Sequence, residues 1–315
     1  MKIICEKDLL VEAVSNVARA ACAKSPVPAL EGILLKAQDG QLQLTGYDLE
    51  LGIVTTIEAK TEQPGQLILS ARLLLDIIRR IPAQTVSILS DERDLATIRG
   101  GASEFTIPGL NAEEYPELPN FEQQSDLVLK QGVLKSMIDQ TLFAIATTDS
   151  KPVHTGSLFD IKDSCVTLVS VDGYRLALRR EPIVSDLTTR FIVPGKTLAE
   201  ISKLLKEEDE EAYLALSQKH IVFRIGGYYV VSRLLEGEFL DYNAAIPKVS
   251  KTTVKINTRS LTDAVERTSL LISAAQPHPP VRDGPEGAAE LLDLDGQGAR
   301  RGGLRDERRG GQHGL

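Results

Sequence analysis

Few residues in this chain are spaced for covalent chemistry, and those that come nearest fail on detail. Gly195-Lys196-Thr197 has the ending of a phosphate-cradling loop, but that loop needs a glycine five residues before Gly195, and Arg190 stands there. Five adjacent acids, Glu207 to Glu211, follow a predicted helix, where a solvated turn is the ordinary outcome and metal ligation the rare one. His154 and His220 are isolated, and His278 and His313 lie in an atypical C-terminal stretch. Cys5, Cys22 and Cys165 have no C-x-x-C spacing and no obvious histidine companions, so neither a zinc knuckle nor a disulfide framework is suggested and a reducing compartment fits. With no nucleophile and base to pair, the expectation is a protein without catalytic residues, metal or cofactor.

What the chain does space regularly is positive charge. Arg72 and Arg79 are seven apart, hence on one face of a helix, with Leu73, Leu74, Ile77, Ile78 and Ile81 as its expected buried side. Lys196 and Lys203 stand 124 residues further on with the same spacing, above Leu198, Ile201, Leu204 and Leu205. Any exposed helix carries some lysine and arginine, so a solvated face is the competing reading. A shared register changes the balance, because repeated domains set about an axis would aim these cations at one centre.

The register belongs to a repeat that organises the whole chain. Asp48 in LTGYDLEL returns as Asp172 in VSVDGYRL at the same offset of 124, and these two aspartates are expected to organise turns. Leu10 and Val14 recur as Leu134 and Ile138 and again as Leu261 and Val265. Each unit reads as strand, helix and three strands, run twice. In unit one the strands are Lys2 to Cys5, Gly32 to Ala37, Gln41 to Thr45, Leu51 to Ala59, Leu67 to Ser70 and three more to about Ile107; the helices are Lys7 to Cys22 and Ala71 to Ile81. Unit two repeats the order, with helices Gln131 to Ala146 and Lys196 to Lys206 and hairpin glycines Gly226 and Gly227 answering Gly100 and Gly101. Tight turns between strands, with one helix per half-unit, imply an α+β fold of antiparallel sheets covered by helices on one face.

At 315 residues the chain has room for two or three such domains, and a net charge of −8 with 42% hydrophobic residues describes a globular protein without a basic coat. An acidic total still leaves room for a local basic field on one face. The N-terminus MKIICEKDLL is too short in apolar residues for a signal core, and no segment approaches a membrane span. A cytoplasmic protein is expected.

Across about residues 1 to 273 the motifs LTGYDLEL, SARLLLDIIRRIP, VSVDGYRLAL, FIVPGKTL and EGEFLDYNAAIP make the chain similar to the bacterial DNA polymerase III beta subunit family, the sliding clamps. The resemblance implies a DNA clamp fold in which each domain doubles a βαβββ half-unit, with sheets outside and helices lining a bore. It implies a non-catalytic processivity factor, associated with the nucleoid, that tethers the replicative polymerase to double-stranded DNA without reading sequence. Its implied DNA-facing set is Lys24, Arg72, Arg79, Lys196 and Lys203. It also implies a homodimer, and a pocket for short peptides of the polymerase III alpha subunit, the clamp loader and other clamp-binding proteins at Val171, Gly173, Tyr174, Arg175, Leu176 and Pro247. The alternative is a non-replicative interaction scaffold of clamp-like domains whose basic helices are merely solvated, and a more distant rival is an enzyme with an unrecognised site at a domain junction.

The resulting domain map is 1–122, 123–249, an incomplete third domain over 250–273, with a strand at Val254 to Ile256 and a helix from Leu261 to Ile272, and a disordered or out-of-frame tail over 274–315. That tail is rich in Gly, Arg and Pro and lacks Phe, Tyr, Lys, Ile, Ser and Thr, so it cannot build a core. The abrupt change inside a domain already begun reads as a frameshift in a GC-rich gene, which would impair ring closure of this chain. Translation of the coding DNA beyond codon 273 in another frame is expected to restore a third β-rich unit; noise in every frame would reject the frameshift.

Overall fold

The computed structural model describes residues 1–119, 125–148, 151–206, 209–247, 249 and 254–270, and the backbone of 281–283, 289–291 and 302–303. Two compact units, Met1–Tyr242 and Asn243–Leu315, are each described by themselves. The first repeat contains β1 (Lys2–Glu6), α1 (Lys7–Val17), β2 (Gly32–Gln38), β3 (Gln41–Tyr47), β4 (Leu51–Glu58), β5 (Lys60–Gln63), β6 (Gly65–Ser70), α2 (Ala71–Arg80), β7 (Thr85–Ser90), β8 (Leu95–Gly100) and β9 (Ser103–Pro108). The second contains β10 (Ser125–Lys130), α3 (Gln131–Asp139), β11 (Gly156–Lys162), β12 (Cys165–Val171), β13 (Leu176–Pro182), β14 (Thr189–Pro194), α4 (Gly195–Leu204), β15 (Glu211–Leu216), β16 (His220–Ile225) and β17 (Tyr228–Arg233).

Apolar spacing explains both element types. Helix α1 buries Leu10, Ala13, Val14 and Val17, and α2 buries Ala71, Leu74, Ile77 and Ile78, the three-and-four spacing of a one-sided helix. Strand residues Ile3, Leu35, Leu44, Ile53, Ile88 and Ile98 meet them in the core. In the second repeat Leu134, Ile138, Leu198 and Ile201 pack on Leu168, Leu214, Phe223 and the stacked rings of Phe159 and Phe191, whose centroids are 5.1 Å apart.

Every strand pairing among the described residues is antiparallel. The first repeat supplies a sheet of order β5-β1-β7-β8-β9, the second one of order β13-β12-β11-β14, and the remaining halves merge into eight strands of order β10-β15-β16-β17-β4-β3-β2-β6. The merger is the pairing of β17 with β4, from Tyr228 opposite Thr55 to Ser232 opposite Leu51. One ladder therefore fixes the angle between the repeats.

Several expectations need correction. Helices α1 and α3 end at Val17 and Asp139, giving way to single tight turns at Ala18–Ala20 and Leu142–Ala144, so the expected ends at Cys22 and Ala146 are too late. Strand β5, unforeseen, covers the outer side of β1. The hairpin at Gly226-Gly227 answers Gly101-Ala102, because Gly100 and Ile225 are the equivalent strand ends. Gly100 is held in place by packing: a Cβ there would lie 2.2 Å from Ile81 Cγ2. Leu73, expected inside, is 41% exposed, since it sits one position from Arg72 at the rim of the buried stripe.

Helix α5 (Tyr242–Ala245) begins at the last residue of the first unit, and the second unit contains α6 (Thr258–Ser269), whose start is capped by the Asn257 side chain accepting from the Ser260 N–H at 3.1 Å. Ala264 is buried against Ile256, Leu261 and Val265. Val254 to Ile256 has no strand partner, contrary to expectation, and Ile272 lies outside the described residues. Strands β18 (Val281–Asp283), β19 (Ala289–Leu291) and β20 (Gly302–Gly303) pair antiparallel; the rest of the tail lies outside the described residues.

The close approach of β3 to the end of α1 gives a stability test. A Cβ on Gly46 would lie 2.3 Å from the Val17 carbonyl oxygen, so Gly46→Ala must push a helix end off a sheet. A loss of about 1–3 kcal/mol is expected, read as a fall in the urea midpoint at unchanged slope.

Candidate nucleic-acid interface

The cations singled out from sequence lie on α2 and α4, the equivalent helices of the two repeats. Arg72, Arg79, Lys196 and Lys203 are all exposed, as is Lys24 on the loop after α1. Arg79, Lys196 and Lys203 are already partnered. Arg79 Nη2 donates to Ser15 Oγ on α1 at 3.0 Å. Lys203 Nζ donates to Glu200 Oε1, one turn back on α4, at 2.8 Å. Lys196 reaches into the first repeat and donates to the carboxylate of Asp48. Burial works against the Lys196 charge, yet the Asp48 carboxylate raises its pKa above the ordinary lysine value.

These contacts tie four helices into one layer. Arg79 on α2 meets Ser15 on α1, Arg19 in the turn ending α1 lies 3.8 Å from Glu200 on α4, and Ser202 on α4 donates to Asp139 of α3 at 2.6 Å. Asn16 on α1 donates to the Tyr228 hydroxyl at 2.7 Å, and Thr55 Oγ1 to the Gly227 carbonyl at 3.2 Å, both across the β4–β17 junction. Charged side chains on these helices are thus positioned by shared backbone and polar contacts.

The paired aspartates do organise turns. Asp48 Oδ1 accepts from the N–H groups of Glu50 and Leu51 at 3.0 and 2.7 Å, and Asp172 Oδ1 from those of Tyr174 and Arg175, both at 3.0 Å. Burial opposes the Asp172 charge, but those N–H groups and the Arg175 guanidinium hold its carboxyl below the usual range. Gly173 takes φ +95°, the left-handed conformation glycine adopts freely.

Of the six residues expected to form a peptide pocket, five gather at this turn. Val171 is buried opposite Leu176 in the β12–β13 register, Arg175 stacks its guanidinium 5.8 Å from the Phe143 ring centroid, and Tyr174 projects with 93% of its surface exposed. Pro247 is exposed in the second unit. A neighbouring groove of about 600 Å³, lined by Leu158, Arg190, Ile192, Leu235, Glu238 and Phe239 among others, contains none of the six.

Other sequence candidates have structural tasks. Within the acidic run, Asp209 pairs with Lys130 at 2.8 Å and Glu210 accepts from Gln131 at the start of α3; Glu207 and Glu208 lie outside the described residues. Burial raises the Cys5 thiol to about 12, and all three cysteines are free. Sequence reading missed the carboxylates beside the cations. Asp76 and Glu200 are 124 residues apart, the repeat offset already in hand, and each stands between two of the chosen cations.

Family models match in chain order: that of the DNA polymerase III beta subunit N-terminal domain over residues 1–119, and that of its central domain over 128–241. The beta sliding clamp of Bacillus subtilis is 34% identical over 281 residues, covering 86% of this chain and 74% of that protein. The chain belongs to the DNA polymerase III beta subunit family. Its fold is the sliding-clamp fold, and its function is that of a DNA sliding clamp, a processivity factor of replication. Among solved clamps, the crystal structure of a putative beta subunit from Eubacterium rectale superposes with a TM-score of 0.90 at 33% identity, covering 96% of this chain and 83% of that one. A clamp from Pseudomonas aeruginosa bound to griselimycin gives 0.90 at 27% identity, covering 97% and 84%. No helix among the described residues is long and apolar enough to cross a membrane.

Two histidines in this clamp are expected to make its stability pH-dependent. Burial lowers the pKa of His154, whose ring sits edge-on to Phe239 at 5.5 Å, with Lys151 adding to the effect; burial followed by Arg233 and Lys219 lowers that of His220. The unfolded chain therefore binds these protons first, so the contribution is complete above an unfolded pKa near ~6.5 and is lost as pH falls from there through the folded values. Urea midpoints taken between pH 7.5 and pH 5.5 should fall with acidification, and His154→Gln with His220→Gln should flatten that slope.

Proposed function

We propose that Lys24, Arg72, Arg79, Lys196 and Lys203 are the duplex-facing cations of this clamp, contacting phosphates without reading bases. The observation that carries this reading is the equivalence of α2 and α4: both present two cations seven residues apart, and both belong to one helical layer held by a shared sheet. Duplex DNA carries one charge per about 1.7 Å of axis, so rigidly spaced cations meet phosphates in any sequence. The chain acts as a non-catalytic accessory subunit in the cytoplasm, at the nucleoid, with clamp domains over 1–122 and 123–249 and an incomplete third over 250–273, so that closure into the family's head-to-tail dimer is impaired.

The turn of Val171, Gly173, Tyr174, Arg175 and Leu176 is the proposed docking site for short segments of the polymerase III alpha subunit, the clamp loader and other partners, and Pro247 of the second unit is assigned to the same role by the family resemblance alone. Support comes from the Tyr174 ring, exposed at this turn, and from the Arg175 guanidinium held over the Phe143 ring beside it. A scaffold without DNA contact is the competing reading, and salt dependence separates the two. Binding of the full chain to a short duplex should weaken with salt, and each of Arg72→Gln and Arg79→Gln should lower the log–log slope by about 0.9. Slopes unchanged by both would favour the scaffold.

A further inference from the structure

On both DNA-facing helices the cation row is interrupted at the same place. Arg72, Asp76 and Arg79 on α2 correspond to Lys196, Glu200 and Lys203 on α4, a positive, negative, positive order at i, i+4 and i+7, hence along one stripe. The central acid is engaged in each case. Asp76 Oδ1 accepts from Arg80 Nη1 at 2.9 Å, and that bond, with the fields of Arg80, Arg72 and Arg79, holds its carboxyl below the usual range. Glu200 Oε1 accepts from Lys203 Nζ, while Glu200 Oε2 is buried, without a hydrogen-bond partner, 3.8 Å from Arg19 Nε of the first repeat.

If these helices served only to attract a polyanion, an acid at the centre of the stripe would work against them. Helix stabilisation alone does not account for the placement, because exposed i,i+3 and i,i+4 pairs contribute little wherever they stand. We propose that Asp76 and Glu200 are moderating residues for DNA contact: Glu200 competes with phosphate for Lys203 directly, and Asp76, bonded to Arg80, opposes through its field the pull of Arg72 and Arg79 on phosphate, so that the clamp holds the duplex by enclosure and no single contact becomes tight. On α4 phosphate must displace a carboxylate that is already in place. The contact is thereby made and broken at nearly constant energy as the duplex moves.

This inference rests on the DNA-facing reading of α2 and α4, and the experiment separates the two. Binding of the full 315-residue chain to a 30-base-pair duplex is measured by fluorescence anisotropy from 50 to 200 mM NaCl, for wild type, Asp76→Asn, Glu200→Gln, Lys203→Gln and Glu200→Gln/Lys203→Gln, each shown folded by its thermal melt. Glu200→Gln frees one cation for phosphate, so its affinity should rise at low salt and fall about 3.5-fold more than wild type across this range, the effect of one further contact at a slope of 0.9. Asp76→Asn, which releases Arg80 and removes the field opposing Arg72 and Arg79, should steepen the slope in the same direction. The extra steepness should vanish in the double variant, because the cation that Glu200 restrains is then absent. If Lys203→Gln flattens the slope while Asp76→Asn and Glu200→Gln leave it unchanged, moderation is overturned and the DNA-facing reading stands. If Lys203→Gln changes nothing, the DNA-facing reading of α4 fails, and moderation fails with it. Steepening that persists in the double variant would also overturn the proposal, since it would reflect total charge rather than a shared cation.

Discussion

The hydrogen-bonded ladder between Leu51–Thr55 and Tyr228–Ser232 is the constraint on which the arrangement of the two repeats depends. An edge strand presents a row of backbone donors and acceptors that must find partners, and here each repeat's edge is satisfied by the other's. Because ladder bonds are directional, they set register and twist together, so the angle between repeats follows from the sheet itself. The polar contacts on the helical side, Lys196 with Asp48, Arg19 with Glu200 and Asn16 with Tyr228, then lie on the far side of the same hinge. Flexing the junction would have to stretch one set or compress the other.

That rigidity matters because a sliding protein cannot use strong local bonds. A bidentate guanidinium–phosphate contact made at one register must be broken at the next, and its full strength would appear as a barrier to movement. Cations on a stiff frame, two of them shared directly with carboxylates and others facing an acid on the same stripe, keep the local field positive while limiting what any one of them gains from phosphate. The net charge of −8 fits the same requirement, since a uniformly basic surface would hold nucleic acid anywhere.

Much of this was legible before any coordinates. The 124-residue offset paired Asp48 with Asp172 and α2 with α4, and in both turns the aspartate does what its residue type favours, accepting from N–H groups two and three positions on. What escaped were features decided by contacts distant in sequence. Strand β5 has a polar sequence, Lys60–Gln63, that earns its place only because β1 needed a neighbour. Gly100 looks like a turn residue by composition, yet it ends a strand because Ile81 leaves no room for a side chain. Leu73 follows the apolar pattern of its helix but falls at the rim, where periodicity cannot say which side of the boundary wins.

The interrupted cation stripe shows where a repeat carries more information than a motif. A search for basic residues finds Arg72, Arg79, Lys196 and Lys203 and passes over the acids between them, because an acid in a DNA-facing row has no place in that template. Superposing one repeat on the other treats every position alike, and it returns Asp76 and Glu200 with the same standing as the cations. Their partners differ, Arg80 in one helix and Lys203 with Arg19 in the other, so the shared feature is the carboxylate's position and not a particular ion pair. A position whose charge is the same while its contacts differ is better explained by the field it imposes on its neighbours than by the stability of any one bond.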